Sequence, residues 1–248
     1  MRTPSFYVAV ALCAALCIPT AKAQDLGAAL DPVMLGQGLV LSSTMHAHAE
    51  RDAARLGRKS KRSSRTIRSS SQPLLRGSTR FRPSLMARQR TLASIVARAR
   101  ATDAQGATAL ERDFANGDPI VAITPALARY GLRTDDVADT TTAYLVSAWY
   151  GVRGSNQDPP RAILRATREQ VRRALLSTPS FTSSSNAAKQ QMSDALLLQL
   201  MVTDRLITSA KGNPAQMARA KNTVRQNALR AFKLDLAKMK LTSQGLRA

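Results

Sequence analysis

The chain has almost no cysteine: Cys13 and Cys17 are the only two, and both lie in the apolar stretch at its start. If that stretch is removed on export, no disulfide and no thiol nucleophile remains, so stability must come from a buried apolar core. Histidine is equally scarce. His46 and His48 are the only candidates for imidazole acid–base chemistry or for a Ser–His type of relay. Aromatic residues make up 4% of the chain, which leaves little material for a ring-stacking platform. Acids are few as well, 16 Asp or Glu against 37 Arg or Lys. Strand patterning is nearly missing. The β-branched residues are scattered, and Pro119 to Ile123 is the one stretch that reads as a possible short strand.

The start of the chain has the organisation of an export signal. Arg2 precedes an apolar run built on Phe6, Val8, Val10, Leu12, Leu16 and Ile18, with Pro19 at its end. Ala21-Lys22-Ala23 then sets small residues at the two positions a signal peptidase accepts, so cleavage is expected before Gln24. The run is about 13 residues long, too short for a span that needs roughly 20. A lipid-accepting cysteine normally follows a small residue, whereas Cys13 and Cys17 each follow a leucine and sit deep in the run. The expected product is periplasmic or secreted.

Cleavage would remove Arg2 and Lys22 and lower the formal charge from +21 to +19. The rest is unevenly spread. Residues 51–100 hold fifteen Arg or Lys against one acid, Asp52, while residues 110–248 hold twenty against eleven. Such a charge block repels itself and does not collapse, so residues 51–82, punctuated by serines, Pro73 and Gly77, read as a disordered basic arm. Residues 24–50 carry a weak helical pattern (Leu26, Leu30, Met34, Leu35, Leu39) interrupted by Pro32, Gly36 and Gly38, and read as a linker or short helix.

From residue 83 to 248 the periodicity is helical. Leu85, Met86, Leu92, Ile95 and Val96 place a helix over Pro83 to Arg100, and a second over Ala107 to Ala115 is closed by Asn116-Gly117. Thr124-Pro125 marks a short helix stopped by Gly131, and Thr134 or Asp135 caps a longer one with Val137, Thr141, Tyr144, Leu145, Ala148 and Trp149 on its apolar stripe. Asp158-Pro159 opens the next, ending before Pro179; Ser183 to Ser185 open a long one broken by Gly212; Asn213-Pro214 starts the last, which runs to about Met239. Leu241 to Ala248 read as irregular. The fold class is all-α, an orthogonal or up-and-down bundle of about five to six helices, with antiparallel neighbours where the links are short.

Candidate chemistry is thin. His46-x-His48 with Glu50 lacks further ligands for a closed metal site, so no metal and no cofactor is expected. Asp135, Asp136 and Asp139 could gather with Asp118 near one end of the bundle, with Arg129 and Arg133 as charge partners, although acids at helix starts usually cap. Glu111 and Glu169 read as ion-paired. Tyr144, Trp149, Arg153, Asp135 and Asp139 are the candidate pocket, centred on the turn Gly151-Val152-Arg153-Gly154; ordinary core packing is the competing reading. That turn is not a phosphate loop, because no strand precedes it and no Gly-Lys-Ser/Thr follows. The arm offers Arg51, Arg55, Arg58, Lys59, Lys61, Arg62, Arg65 and Arg68 to any polyanion, through counterion release. Export makes nucleic acid a poor expectation and points to an anionic envelope component, such as lipid headgroups or surface polysaccharide, or to an acidic protein.

Leu127 to Leu132, Asp135 to Asp139, Ala143 to Val146 with Trp149, and the ending Leu241 to Leu246 together resemble a family of bacterial exported proteins carried as a domain of unknown function. The resemblance covers roughly residues 85–248, leaves out the arm and implies no catalytic residue. The expected function is an exported helical binding or structural domain of the envelope. The alternatives are polyanion or membrane-surface binding through the arm, and, least favoured, a carboxylate hydrolase.

Overall fold

The computed structural model describes residues 77–248; the apolar start, residues 24–50, His46 and His48, and the arm's Arg51 to Arg68 lie outside the described residues. Eight helices are described: α1 Leu85–Thr102, α2 Ala104–Asn116, α3 Pro119–Ala128, α4 Val137–Gly151, α5 Arg161–Leu176, α6 Pro179–Thr182, α7 Asn186–Ser209 and α8 Pro214–Phe232. A two-stranded antiparallel hairpin, β1 Lys240–Thr242 with β2 Gly245–Arg247, closes the chain. The fold is all-α apart from that hairpin.

Most helix starts follow from local chemistry. Ser84, Asp103, Asp118, Asp136, Ser185 and Asn213 each accept a bond from the first turn of the helix they precede. Pro119 and Pro214 sit where the first turn leaves an N–H unused anyway. Asp103 ends α1 and caps α2 at once, accepting from Gly106 at 3.0 Å. That corner needs a glycine, because a side-chain carbon at Gly106 would come within 2.4 Å of the Asp103 carboxylate.

Several sequence expectations need correction. Pro119 to Ile123 is not a strand: it is the first half of α3, started by the Asp118 cap. Thr124 therefore does not cap a helix; Pro125 lies inside α3, and the Thr124 hydroxyl bonds back to the Ile120 carbonyl at 2.7 Å. Asp136, rather than Thr134 or Asp135, caps α4. Asp158 opens no helix, since α5 begins at Arg161 after Pro160 with no side-chain cap. Gly117 ends α2 in extended backbone (φ 164°), so the left-handed exit expected there is absent. α8 stops at Phe232, with Lys233 in the left-handed conformation (φ 54°), and a turn at residues 236–238 follows. The tail expected to be irregular is the hairpin. It forms because Gln170 on α5 binds both Leu246 backbone groups at 2.9 Å, and because Gly245 has no side chain to displace that amide.

α4 is the centre. Every residue from Val137 to Ala148 is buried, so the helix has no solvent stripe, and its threonines and serine lie inside the protein. α7, α5 and α8 pack around it. Thr140 meets Ser193 at 2.7 Å, and a side chain at Gly151 would meet Thr203 and Ile207, so α4 and α7 run parallel. Tyr144 stacks on Phe232 at 5.7 Å while Gly151 faces Val224, which makes α8 antiparallel to both. The core also includes Ile95, Leu110, Ile120, Ile123 and Leu127 from the first three helices.

Residues 78–84, placed mostly with the arm by composition, form an extended strap. Phe81 donates to Asp135 at 3.1 Å and Val137 to Thr79 at 3.0 Å. On the other side, Asn186, Lys189 and Gln190 of α7 hold the strap at Arg82, Ser78 and Ser84. Phe81 is buried in the core.

Candidate functional site

The five candidate pocket residues lie on or beside α4, but the structure divides them between its two ends. Asp139 and Trp149 are ten residues apart on one helix, about 15 Å at 1.5 Å per residue. Tyr144 lies between them, fully buried against Phe232. The residues therefore do not line one cavity, because a helix separates along its axis what a sequence writes close together.

The first end is an ionic clasp. Asp135 accepts two bonds from Arg133, at 2.8 and 2.9 Å, and one from Arg80 at 3.3 Å. These partners hold its carboxyl below the usual carboxylate range. Asp136 caps α4 through Ala138 and lies 3.8 Å from Arg168. Asp139 has none of its surface exposed; it accepts from the Arg133 backbone at 2.9 Å and is paired with the Arg168 guanidinium. Burial, aided by the neighbouring Asp136 charge, pushes the Asp139 carboxyl up to about 6 against the pull of Arg168.

Asp118 does not join this cluster. It caps α3 and binds Arg88 at 2.9 Å, and Arg88 also reaches both oxygens of the buried Asp194 at 3.3 Å. One guanidinium thus ties α1, α3 and α7. Asp194 is likewise raised to about 6 by burial, partly offset by Arg88. Asp204 is the third such group, raised to about 6 by burial and held by the Asn156 amide at 3.3 Å. The backbone carbonyl of Arg129 accepts from the Arg161 guanidinium at 2.8 Å. Glu111 is paired with Arg100 at 2.5 Å. Asp194, Asp204, Arg88 and Arg168 were not singled out from sequence. An acid between Met192 and Leu196 is a signal for a buried charge; the partners, 29 residues from Asp139 or 106 from Asp194, leave no local sign.

The other end of α4 works without carboxylates. Arg153 lies 3.7 Å over the Trp149 ring and donates to the carbonyls of Trp149, Leu236, Ala237 and Met239. Trp149 donates its indole N–H to Met239 at 2.9 Å, and Tyr150 meets Trp149 edge to face at 5.1 Å. Gly154 sits at φ 72°, tightening the turn, and a side chain there would press on Met217 and Lys221. Arg153 thus pins residues 236–239 to the end of α4. It meets dipoles rather than an anion, so its charge is not cancelled.

Among the described residues, no group of three metal-type side chains is gathered, and no helix is long and apolar enough to cross a membrane. The family model described as a family of unknown function (DUF6683) matches residues 2–248, and the chain belongs to that family. The match extends the resemblance through the basic arm and the apolar start, both of which it had been expected to omit. No curated protein and no solved structure matches the chain.

Proposed function

We propose that this chain is an exported, non-catalytic binding domain of the bacterial envelope. The observation that supports this most is the state of its central acids. Asp139 and Asp194 have no exposed surface and each is ion-paired with an arginine, so they hold the bundle together rather than face a substrate. A hydrolase working through the cluster at the start of α4 would need one of these carboxyls to reach solvent. The export half of the reading rests on Arg2, the short apolar run and Ala21-Lys22-Ala23. Expression of the whole chain in a Gram-negative host, with osmotic-shock fractionation and N-terminal sequencing, tests it. The expected species is soluble, lies outside the cytoplasm and begins at Gln24. Retention in the cytoplasm with an intact Met1 end would overturn it.

A second reading is polyanion binding through the arginine-rich arm, and the strap favours it. Residues 78–84, which follow the arginine-rich run, are fastened along both sides, so the position of the residue on which that run ends is fixed. Salt-sensitive retention of residues 24–248 on heparin, lost in a chain beginning at Gly77, is the expected result. Equal retention of both chains would count against the arm.

A further inference from the structure

The folded domain carries its own block of positive charge, at the opposite end of the sequence from the arm. Residues 110–204 hold ten cations and ten acids. Residues 205–248 hold ten cations and one acid, Asp235, which is already taken by Arg225 through bonds of 2.8 and 2.6 Å. α8 itself contains no carboxylate.

The fold gathers part of this block around the Trp149–Arg153 turn. Lys221 of α8 lies against Gly154, where a side chain would come within 3.4 Å of its Cδ. Lys238 and Lys240 flank Met239, whose carbonyl is held by both Trp149 and Arg153. Lys238 and Lys240 are exposed, and Trp149 and Tyr150 are half-buried beside them. Among the described residues, the large apolar side chains that are exposed, Leu85, Met86 and Val121, belong to α1 and α3, so this face brings no apolar anchor of its own to a lipid bilayer.

We propose that the face formed by α8 and the segment 233–240, centred on Trp149 and Arg153, is a docking site for a linear acidic polysaccharide. Its lysines, which share the single acid Asp235 with Arg225, supply the affinity through counterion release, and the half-buried Trp149 and Tyr150 rings set apolar surface beside that charge for the apolar face of a sugar ring. The inference rests on the binding-domain reading and gives it a ligand class and a site separate from the arm.

Trp149 is the only tryptophan in the chain, so its emission reports on this face directly. The test titrates polygalacturonate into residues 24–248 and into two variants. One carries Lys221→Gln, Lys238→Gln and Lys240→Gln; the other has the eight arm cations, Arg51 to Arg68, changed to glutamine. The arm variant is expected to keep saturable binding that alters Trp149 emission. The face variant is expected to lose about tenfold in affinity at moderate salt and to show a shallower salt dependence, with an unchanged melting temperature. Should the triple variant melt early, Lys238→Gln with Lys240→Gln alone, both at exposed positions, is expected to lose about threefold. An unchanged Kd and salt slope in the face variants would overturn the proposal. Loss of binding in the arm variant alone would leave the arm reading standing and this one refuted. Tighter binding to phosphatidylglycerol vesicles than to polygalacturonate would overturn the assignment of ligand class.

Discussion

The two ends of α4 use arginine in opposite ways. At its start, Arg80, Arg133 and Arg168 meet Asp135, Asp136 and Asp139, and the charges cancel in a half-buried knot. At its end, Arg153 meets a tryptophan ring and backbone carbonyls, and Lys238 beside it shares Asp235, the one acid of residues 205–248, with Arg225. The first arrangement fixes the fold and leaves little charge for a partner. The second fixes the last stretch of chain and leaves its charge outward. A count of arginines does not separate these cases; the groups they meet do.

The largest expected effect falls at the clasp. Arg168→Ala leaves Asp139 buried without its guanidinium, and unfolding experiments should show a loss of about 2–3 kcal/mol, less than for a wholly buried pair because Arg168 is one-third exposed. At the other end, Arg153→Ala removes the ring contact and several carbonyl bonds, with an expected cost of about 2 kcal/mol. Hydrogen exchange should accelerate at residues 233–240 and not at 133–139; a uniform increase would mean that Arg153 does not act locally.

A titration sharpens the contrast further. Asp139, Asp194 and Asp204 bind a proton more tightly folded than unfolded, so each adds stability as pH falls from 7 through about 6. Asp135 and Asp235 are lowered by their arginines, and their contribution, present at higher pH, fades as pH falls through the lower carboxylate range. The melting temperature should therefore be higher near pH 5 than at pH 7.5 and drop again in stronger acid. Asp204→Asn keeps an acceptor for Asn156 and removes a buried charge, so it should raise stability at pH 7.5 and flatten the profile. The smallest effect is at Gly154: alanine there must adopt φ 72°, at a cost of about 1 kcal/mol in a melting experiment.

Helix content was legible because the apolar periodicity and the capping residues agree, as at Ser185 and at Asn213-Pro214. α3 was misread because its β-branched residues Ile120, Val121 and Ile123 precede Pro125, while the decisive signal, Asp118 with Pro119, lies one step earlier. The hairpin was invisible because its support, Gln170, is 76 residues away. The site was half legible. Asp135 and Asp139 stand at the start of α4 and Trp149 and Arg153 at its end, so their grouping into one pocket ignored the length of helix between them. The distant arginines that complete the clasp come from the strap, Arg80, and from α5, Arg168, and only tertiary structure brings them in.

Hydrogen exchange read by mass spectrometry on residues 24–248, with and without polygalacturonate, addresses both ends of α4 in one experiment. The expected result is new protection at residues 149–154 and 214–240, with residues 133–139 unchanged because the ionic clasp already closes them. Protection at 133–139, or confined to residues 51–76, would contradict the account.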